Sequence, residues 1–470
     1  MYRISIAVFI CLVCGCKMGP DYQRPAISVP DSFIYEPKDA RDTANTDWWK
    51  DFHDPVLDSL ITEALANNKS VKIAAANIEQ AAAILTQTRA PLYPQAAYSG
   101  GGARQHANEL SAASRLPGFS NPQDSYEVLA GASWEIDLWG RIQRLSEAAR
   151  ADLLASQEAR RGVILSLVAS VADSYIQLRG LDEQLATARR NLDTYAQSVR
   201  LFDLQYQHGQ VTKMTLEQAR TQYQTAAAVI PLLESQIAQT ENAICVLLGR
   251  NPGSIQRGRS ISELTMPVIP AGLPSELLDR RPDLAQAQQN LIAANARIGA
   301  AKALYFPTIS LTGAYGTQSS ELSDLFSGPS RTWNYTGSVT GPIFTAGSIS
   351  GQVKQAQVAQ DAALLNYENV ILIAFSDVEN ALVACQRLAD QLQAQGKLVG
   401  SLKEYDRLAW LQYNGGYTPY LTVLNAESQL FNAELSYVQN RTDALASYVR
   451  IYQAMGGGWI TSAEQLADAQ

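Results

Sequence analysis

The chain has few of the residues from which enzyme active sites and metal sites are usually built. It contains only three histidines, His53, His106 and His208, and these fall in separate predicted elements. The sequence has no H-E-x-x-H metal motif, no phosphate-binding P-loop, no G-x-S-x-G and no paired-cysteine metal spacing. We therefore expect no catalytic residue, no metal and no cofactor, and we predict that the protein is not an enzyme.

Cysteine and clustered positive charge are also scarce. Cys11 and Cys14 form a C-x-x-C pair, but they lie inside an apolar N-terminal segment, which argues against a redox or metal role. Cys245 and Cys385 lie in helical patterns, which favour two single buried thiols over a disulfide. The formal net charge is −8 and no basic cluster occurs, so the composition argues against nucleic acid as a partner.

Phenylalanine is rare as well, at 10 of 470 residues, although 46% of the chain is hydrophobic. Much of that hydrophobic share is alanine, and no linker rich in glycine, serine or proline divides the chain in the middle. This composition favours long, thin helices with narrow apolar seams over one thick core.

The spacing of apolar residues changes within residues 280–315. In the first half they step by four and three, which predicts a helix packed along a narrow seam. Pro307 ends the helical pattern, and beyond it apolar residues alternate with small polar ones, which predicts a strand. The seam residues are Ala287, Leu291, Ala294, Ile298, Ala301 and Tyr305.

The same change of spacing occurs in the first half of the chain, with Pro94 in the place of Pro307. Each copy continues into a long helical pattern bounded by two glycines, Gly140 and Gly209 in the first and Gly347 and Gly416 in the second, and the two spacings are equal. These equal arms predict a tandem duplication. A helix that fills either interval rises about 100 Å, so it needs neighbouring helices along its whole length.

Each half also predicts two strands, at about 94–104 and 125–138 in the first and at about 307–318 and 331–345 in the second. Alternation with aromatic residues at the ends of the second strand fits a transmembrane barrel, although a soluble hairpin has the same pattern. Four strands are too few to close a membrane barrel, and lipid does not tolerate open sheet edges. We therefore predict that three copies combine their strands into a barrel of twelve, which the helices continue as a hollow tube.

The N-terminus has the pattern of a secretion signal, with basic Arg3 followed by a short apolar run. Its end, Val13-Cys14-Gly15-Cys16, resembles a bacterial lipobox. The resemblance implies cleavage before Cys16, lipid on that residue, and sorting to the outer membrane because Lys17 follows. An ordinary signal peptide with a chance cysteine is the alternative.

Five stretches together give the chain a specific resemblance to the TolC/OprM outer-membrane factor family, the efflux lipoproteins of tripartite pumps. They span most of the chain: CKMGPDYQRP (16–25), TDWWKDFHDPVLDSLITEAL (46–65), SWEIDLWGR (133–141), GLPSELLDRRPDLAQAQQNLIAANARIGAAKALYFP (272–307) and YQAMGGGW (452–459).

The resemblance implies a mainly α fold with membrane β structure. Tandem helix–hairpin–helix repeats would form, as a homotrimer, a 12-stranded outer-membrane β-barrel continued by a long periplasmic α-helical barrel. It also implies two protein partners, a periplasmic adaptor and an inner-membrane pump of the resistance–nodulation–division type. The turns at Gly209 and Gly416 would contact the adaptor, because they are the helix ends that face the periplasm.

The family's periplasmic gate lies just after the second helical turn, where an apolar ring and an acidic ring stand four residues apart. By this resemblance Leu421 takes the apolar position and Asn425 the acidic one, so a neutral amide replaces the expected aspartate. Thr422 occupies a site that is acidic in some members. Tyr413 and Thr215 match positions that help to latch the closed state. Ordinary seam packing is the alternative role for Leu421 and Tyr413.

The predicted organisation is a signal peptide (1–15), a lipidated tether (16–53), a first repeat (54–260), a second repeat (261–459) and a C-terminal tail (460–470). The predicted function is a passive exit duct for drugs or other small molecules in the outer membrane of a Gram-negative bacterium. Two alternatives remain open, which are a duct for protein secretion and a periplasmic coiled-coil scaffold without a channel.

Overall fold

The protein is described here by a computed structural model, which covers residues 17–27, 29–30, 32–36, 47–108, 110, 120–267, 269 and 274–456. The predicted signal peptide, Cys16 and the C-terminal tail lie outside these residues. The chain forms two compact units, each described by itself. Unit 1 takes in the described parts of residues 1–26, 77–156 and 286–367, and unit 2 those of residues 27–76, 157–285 and 368–470.

The element order repeats once along the chain, since two helices, a strand pair and two long helices occur twice. The elements are α1 (Pro55–Asn67), α2 (Lys69–Arg89), β1 (Gln95–Gln105), β2 (Gln123–Ile136), α3 (Arg141–Gln207), α4 (Lys213–Leu247), α5 (Pro274–Arg280), α6 (Pro282–Ala303), β3 (Thr308–Ser319), β4 (Arg331–Thr340), α7 (Ser348–Asn414) and α8 (Tyr420–Ala454).

The two long arms are equal in length, as the glycine spacing predicts. Helices α3 and α7 have 67 residues each, and helices α4 and α8 have 35 each. The interval from Arg141 to Ser348 equals the interval from Lys213 to Tyr420, so both helices of the second copy start at the same offset from the first. This common offset confirms the duplication. Over the described residues, no helix is both long enough and apolar enough to cross a membrane.

Unit 1 contains one four-stranded antiparallel sheet in the order β1-β2-β3-β4. The first three strands begin and end within two residues of the predicted bounds. The prediction for the fourth strand was wrong at its end, because β4 stops at Thr340 instead of residue 345. Gly341 and Pro342 follow Thr340, and a proline cannot donate a ladder hydrogen bond.

Helices α3 and α6 meet in unit 1 through alanine. Ala148 and Ala151 of α3 form one buried cluster with Ala293 and Ala296 of α6. The seam predicted from residues 287–305 is buried from Ala287 to Ile298, but the buried surface of α6 is wider than that seam because Ala293 and Ala296 are also enclosed. Small side chains let the two backbones approach closely, so dispersion contacts replace a thick core.

Residues 17–22 lie along the same pair of helices and are held by Arg144, whose side chain is 1% exposed. Its Nε donates to the carbonyl oxygen of Met18 at 2.8 Å, and its Nη2 pairs with Asp21 at 2.9 Å. Gly299 lies directly beneath, and a methyl group there would overlap both the Met18 carbonyl and the Arg144 side chain. The segment therefore has a fitted seat on α3 and α6.

The turn between β2 and α3 is fixed by the side chains of the SWEIDLWGR stretch. Asp137 accepts from the backbone N–H groups of Ile142 and Gln143, which caps the first turn of α3. The indole of Trp139 stacks on Phe306 with ring centroids 4.6 Å apart and donates to the carbonyl oxygen of Pro307 at 2.7 Å. These contacts join the start of β3 to the end of β2.

The largest core lies in unit 2 and includes Trp48, which stacks on Tyr452 of α8 with ring centroids 5.1 Å apart. Arg281, in the RRPDL stretch, is also largely buried and donates to the carbonyl oxygen of Ala454 at 2.9 Å. It pairs with Asp377 at 3.1 Å. The start of the second repeat is thus bound to the end of the chain's last described helix.

Asp54 organises hydrogen bonds at the start of α1, where it is fully buried. Its carboxylate accepts from the Tyr175 hydroxyl at 2.8 Å, from the backbone N–H of Arg259 at 3.0 Å and from that of Val56 at 2.9 Å. One side chain therefore satisfies donors from three separate segments of unit 2.

We expect Asp54→Ala to lower the free energy of unfolding by about 2–4 kcal/mol, because a helix cap is lost and buried donors are left unpaired. Tyr175→Phe removes one of the three bonds and also the acceptor of the Gly258 N–H at 2.9 Å, so it should cost about 1–3 kcal/mol. Thermal unfolding of the purified protein in detergent measures both, with exposed Asp361→Ala as the matched control. Unfolding of Asp54→Ala at the wild-type temperature would contradict this role.

Candidate functional site

The sheet of unit 1 has two chemically different faces. Cross-strand partners share a face, and one row of partners runs Tyr98, Ala130, Tyr315 and Trp333 across the four strands. A row three residues away lies on the opposite face, because side chains alternate, and it consists of Gln95, Ser133, Thr312 and Thr336. One face is therefore apolar and aromatic, and the other is polar and uncharged along this row.

The aromatic face is exposed in the single chain. Tyr98 is 92% exposed and Tyr335 is 80% exposed. Trp333 stacks on Tyr335 in β4, with ring centroids 5.6 Å apart. Exposed aromatic rings on one face of alternating strands are typical of sheets that contact lipid.

The sheet also has two free edges over the described residues. Strand β1 pairs only with β2, and β4 pairs only with β3. The outer backbone N–H and C=O groups of β1 and β4 therefore lack strand partners within the described chain. Such an edge is a template for pairing with another strand.

The helical turns at Gly209 and Gly416 in unit 2 have the same geometry. Both glycines have a positive φ, +73° and +77°. The Gly209 N–H donates to the carbonyl of Tyr206, and the Gln210 N–H to that of Gln205, which is the Schellman arrangement. Gly416 repeats both bonds one copy later. A methyl group at either glycine would meet no atom within 4 Å, so both turns are open and the glycines are required by their backbone conformation.

An aromatic cluster lies beside the second turn and includes the predicted latch residue Tyr413. Its ring is 6.1 Å from Phe202 of α3, 6.0 Å from Trp410 of α7 and 5.7 Å from Tyr420 of α8, measured between centroids. Phe202 and Tyr420 are themselves 4.2 Å apart. The cluster joins three helices next to the open turn.

The two predicted constriction residues, Leu421 and Asn425, lie one helical turn apart on the exposed side of α8. Val423 and Ala426 lie on the opposite side and are fully buried. Leu421 is 48% exposed in the single chain.

The other two predicted residues differ in their surroundings. Thr422 is half-buried in the first turn of α8, and its N–H donates to the carbonyl of Pro419 at 3.0 Å. Thr215 lies in the first turn of α4, where its hydroxyl is 3.2 Å from that of the N-cap residue Thr212. Thr215 therefore contributes to the cap of its own helix.

Glu427 of α8 is a residue that the sequence reasoning missed. It is 5% exposed, and its Oε1 accepts from the indole N–H of Trp410 at 3.1 Å. Burial, reinforced by the nearby Asp406 carboxylate and opposed by the Trp410 bond, raises the pKa of Glu427 to about 7. Its position in the sequence could have indicated its burial. A helical seam steps by three and four residues through Tyr420, Val423, Glu427 and Phe431, and a glutamate is the one charged residue among these four.

Both predicted single cysteines are buried free thiols. Across the parts of the chain that the structure describes, no group of three or more His, Cys, Asp or Glu side chains is arranged to hold a metal ion.

The model of the outer membrane efflux protein family matches residues 60–250 and 273–457, which is most of the chain and both repeats. The chain belongs to the outer membrane efflux protein family. Family membership confirms the resemblance drawn from the sequence, and it makes the protein the outer-membrane channel of an efflux pump.

Three relatives illustrate the match. The probable efflux pump outer membrane protein TtgC of Pseudomonas putida is 36% identical over 464 residues, covering 97% of this chain and 95% of TtgC. The cation efflux system protein CusC of Escherichia coli is 36% identical over 451 residues, covering 95% and 96%. The crystal structure of the open state of the Neisseria gonorrhoeae MtrE outer membrane channel superposes with a TM-score of 0.84 at 33% identity, covering 94% of this chain and 99% of MtrE.

Within this family fold, the turn glycines can be tested by paired substitutions. We expect Gly416→Ala to destabilise the protein by about 1 kcal/mol, because a Cβ disfavours the left-handed conformation. Gly400→Ala, at an exposed helical position of the preceding helix α7, should stabilise by up to about 1 kcal/mol. Thermal unfolding measures both changes, and equal shifts in the same direction would show that the turn does not depend on the glycine conformation.

Proposed function

We propose that the chain acts as a homotrimer, in which three sheets close into a twelve-stranded barrel and form a passive exit duct. The observation that carries the proposal is the two-faced sheet with two free edges. Pairing β1 of one copy with β4 of the next satisfies both edges, and open edges are not tolerated in lipid. The aromatic face then contacts lipid and the polar face lines the pore.

The cargo that we propose is small molecules. Relatives that match the chain over nearly its full length carry names of toluene, antibiotic and cation efflux proteins. These names favour small-molecule efflux over protein secretion, the alternative kept open from the sequence. Family membership likewise favours a channel over a scaffold without one. The duct itself performs no chemistry in this proposal, and the energy comes from its partners.

Those partners are a periplasmic adaptor and an inner-membrane pump of the resistance–nodulation–division type. The turns at Gly209 and Gly416 suit the adaptor contact, because both are open and share one geometry. Such a pair of equivalent turns in each protomer would offer a trimer six similar contact points around its end.

We also propose that Cys16 carries the lipid anchor. It immediately precedes Lys17, whose Nζ is paired with Glu147 of α3 at 2.5 Å. The fitted seat of residues 17–22 supports this, because it holds the chain directly after Cys16 against unit 1.

The gate of this duct is the end of α8 that follows Gly416. Leu421 and Asn425 lie on one exposed face, one turn apart, which suits two successive rings in a trimer. Tyr413 supports the gate from the aromatic cluster, whereas Thr215 acts through the cap of α4. Thr422 lies next to the proposed leucine ring, but we assign it no ring of its own in the trimer.

Conductance of the purified full-length protein tests the proposed duct. Size-exclusion chromatography with light scattering should give a trimer in mild detergent, and planar lipid bilayers should show ion-conducting events. A stable monomer without conductance would contradict the proposal.

We expect Leu421→Ala to raise the single-channel conductance, because three truncated side chains widen an apolar constriction. Leu421→Met keeps a similar volume and should leave conductance unchanged, so it is the matched control.

Asn425→Ala should also raise the single-channel conductance. Asn425→Asp should instead increase the preference for cations, measured as a reversal potential in a salt gradient, because a ring of three carboxylates attracts cations. Wild-type conductance in both alanine variants would exclude this gate.

A further inference from the structure

The carboxyl group of Glu427 is enclosed by three helices at the end of unit 2 that carries the proposed gate. From α3, the Tyr195 hydroxyl donates to the backbone carbonyl oxygen of Glu427 at 3.2 Å. From α7, the Trp410 indole donates to its Oε1 at 3.1 Å. Its Oε2 is buried without a hydrogen-bond partner among the described residues. A buried carboxylate with one oxygen unpaired is costly as an anion.

The charged and titratable groups around Glu427 give it little compensation. Asp406 of α7 adds a second negative charge and has one buried oxygen without a partner in the described chain. Glu434, two turns further along α8, acts on Asp406 in the same direction, although Lys403 of α7 pairs with it at 3.4 Å. Tyr195 and Tyr420 face the group as neutral phenols, since burial raises the pKa of both.

Glu427 is connected to the gate through Trp410. The Trp410 ring contacts both Tyr413 and Tyr420, with centroids 6.0 and 6.2 Å apart. Tyr420 is the first residue of α8, directly before Leu421. The bond from Trp410 to Glu427 therefore holds the end of α7 against the first turns of α8.

We propose that Glu427 is a positioning residue for the gate, because its protonated carboxyl group lets α7 and α8 pack without a buried charge. Its ionisation strengthens the bond from Trp410 but leaves a charged, unpaired Oε2 away from water, so it favours a looser, hydrated arrangement of the two helices. This inference rests on the gate proposed above. It adds a pH dependence to the gate, set from a buried position that touches neither the pore nor the cargo.

The direction of the pH effect follows from linkage. A hydrated glutamate has a pKa of about 4.3, and the packed Glu427 has a raised pKa of about 7. The packed arrangement therefore retains a proton that the hydrated one loses, so it loses relative stability as the pH rises between these values. Below this window the packing of α7 against α8 has its full stability, and above about pH 7 the loss of stability is complete.

The test is single-channel recording of the full-length trimer in planar bilayers between about pH 5 and pH 8. We expect the ratio of open to closed time to rise through this range and level off above about pH 7. The slope should be at most about tenfold per pH unit if the protomers open independently, and at most about a thousandfold if the three open together. Glu427→Gln, which cannot ionise, should remove the rise and keep the closed behaviour of acidic pH.

Trp410→Phe provides a second arm if Glu427→Gln fails to assemble, as checked by size exclusion. The indole hydrogen bond lowers the pKa of Glu427, so its loss should move the levelling-off point to higher pH. Glu404→Gln is the matched control, because Glu404 is an exposed residue of α7 that pairs with Arg407. Its pH profile should equal that of the wild type.

A flat wild-type profile, or a pH dependence that persists in Glu427→Gln, would overturn this role. Leu421→Ala separates that result from a failure of the gate itself. If Leu421→Ala raises conductance at every pH while the wild-type profile is flat, the gate stands and the role of Glu427 is rejected.

Discussion

An open edge of β structure cannot remain in a lipid environment, and the rest of the molecule depends on this constraint. One chain supplies four strands whose outer edges, on β1 and β4, have no partner in the described chain. Backbone groups left there would be neither paired nor hydrated, at a cost of several kcal/mol each in hydrocarbon. Self-association is thus a requirement of the backbone, and the side chains only decide which face is turned to lipid.

The general architecture could be predicted from the sequence because the helices, strands and turns each follow from a local pattern of residues. The change of spacing at Pro94 and Pro307, the alternation in the strands, and the equal distances between glycines each reflect a backbone preference. The end of β4 was misjudged because the alternation of apolar residues continues past Thr340, whereas Gly341 and Pro342 end the ladder. Hydrogen-bonding capacity outweighed the side-chain pattern at that point.

The proposed gate was less accessible to such reasoning. Tyr413 could be chosen by resemblance, and Trp410 lies one turn before it on the same face of α7. Phe202, by contrast, comes from α3, which is far away in the chain. Glu427 has no local signal except its place in an apolar seam. Tertiary packing decides which helices of the two repeats contact each other. The spacing of apolar residues shows which face of a helix is buried, but it does not show which other helix covers that face.

The sequence stretches by which the family is recognised contain residues that connect separate segments of the fold. Asp54 binds three segments of unit 2, Arg281 holds the end of α8, and Trp139 connects β2 to β3. In this chain these residues stabilise the fold and take no part in the proposed pore face, gate or adaptor contact. That explains why the sequence identifies the family readily while leaving the exported compound open.

The seat of residues 17–22 has a consequence for the order in which the chain reaches its final form. Arg144 is almost fully enclosed, and without that segment Glu147 is the partner that remains for its guanidinium group. The segment can be seated only after α3 and α6 have packed, because Gly299 and Asn295 of α6 form part of its floor. The position of residues 17–22 is therefore set by two helices that come much later in the chain, and the contacts of this segment are complete only when both helices have packed.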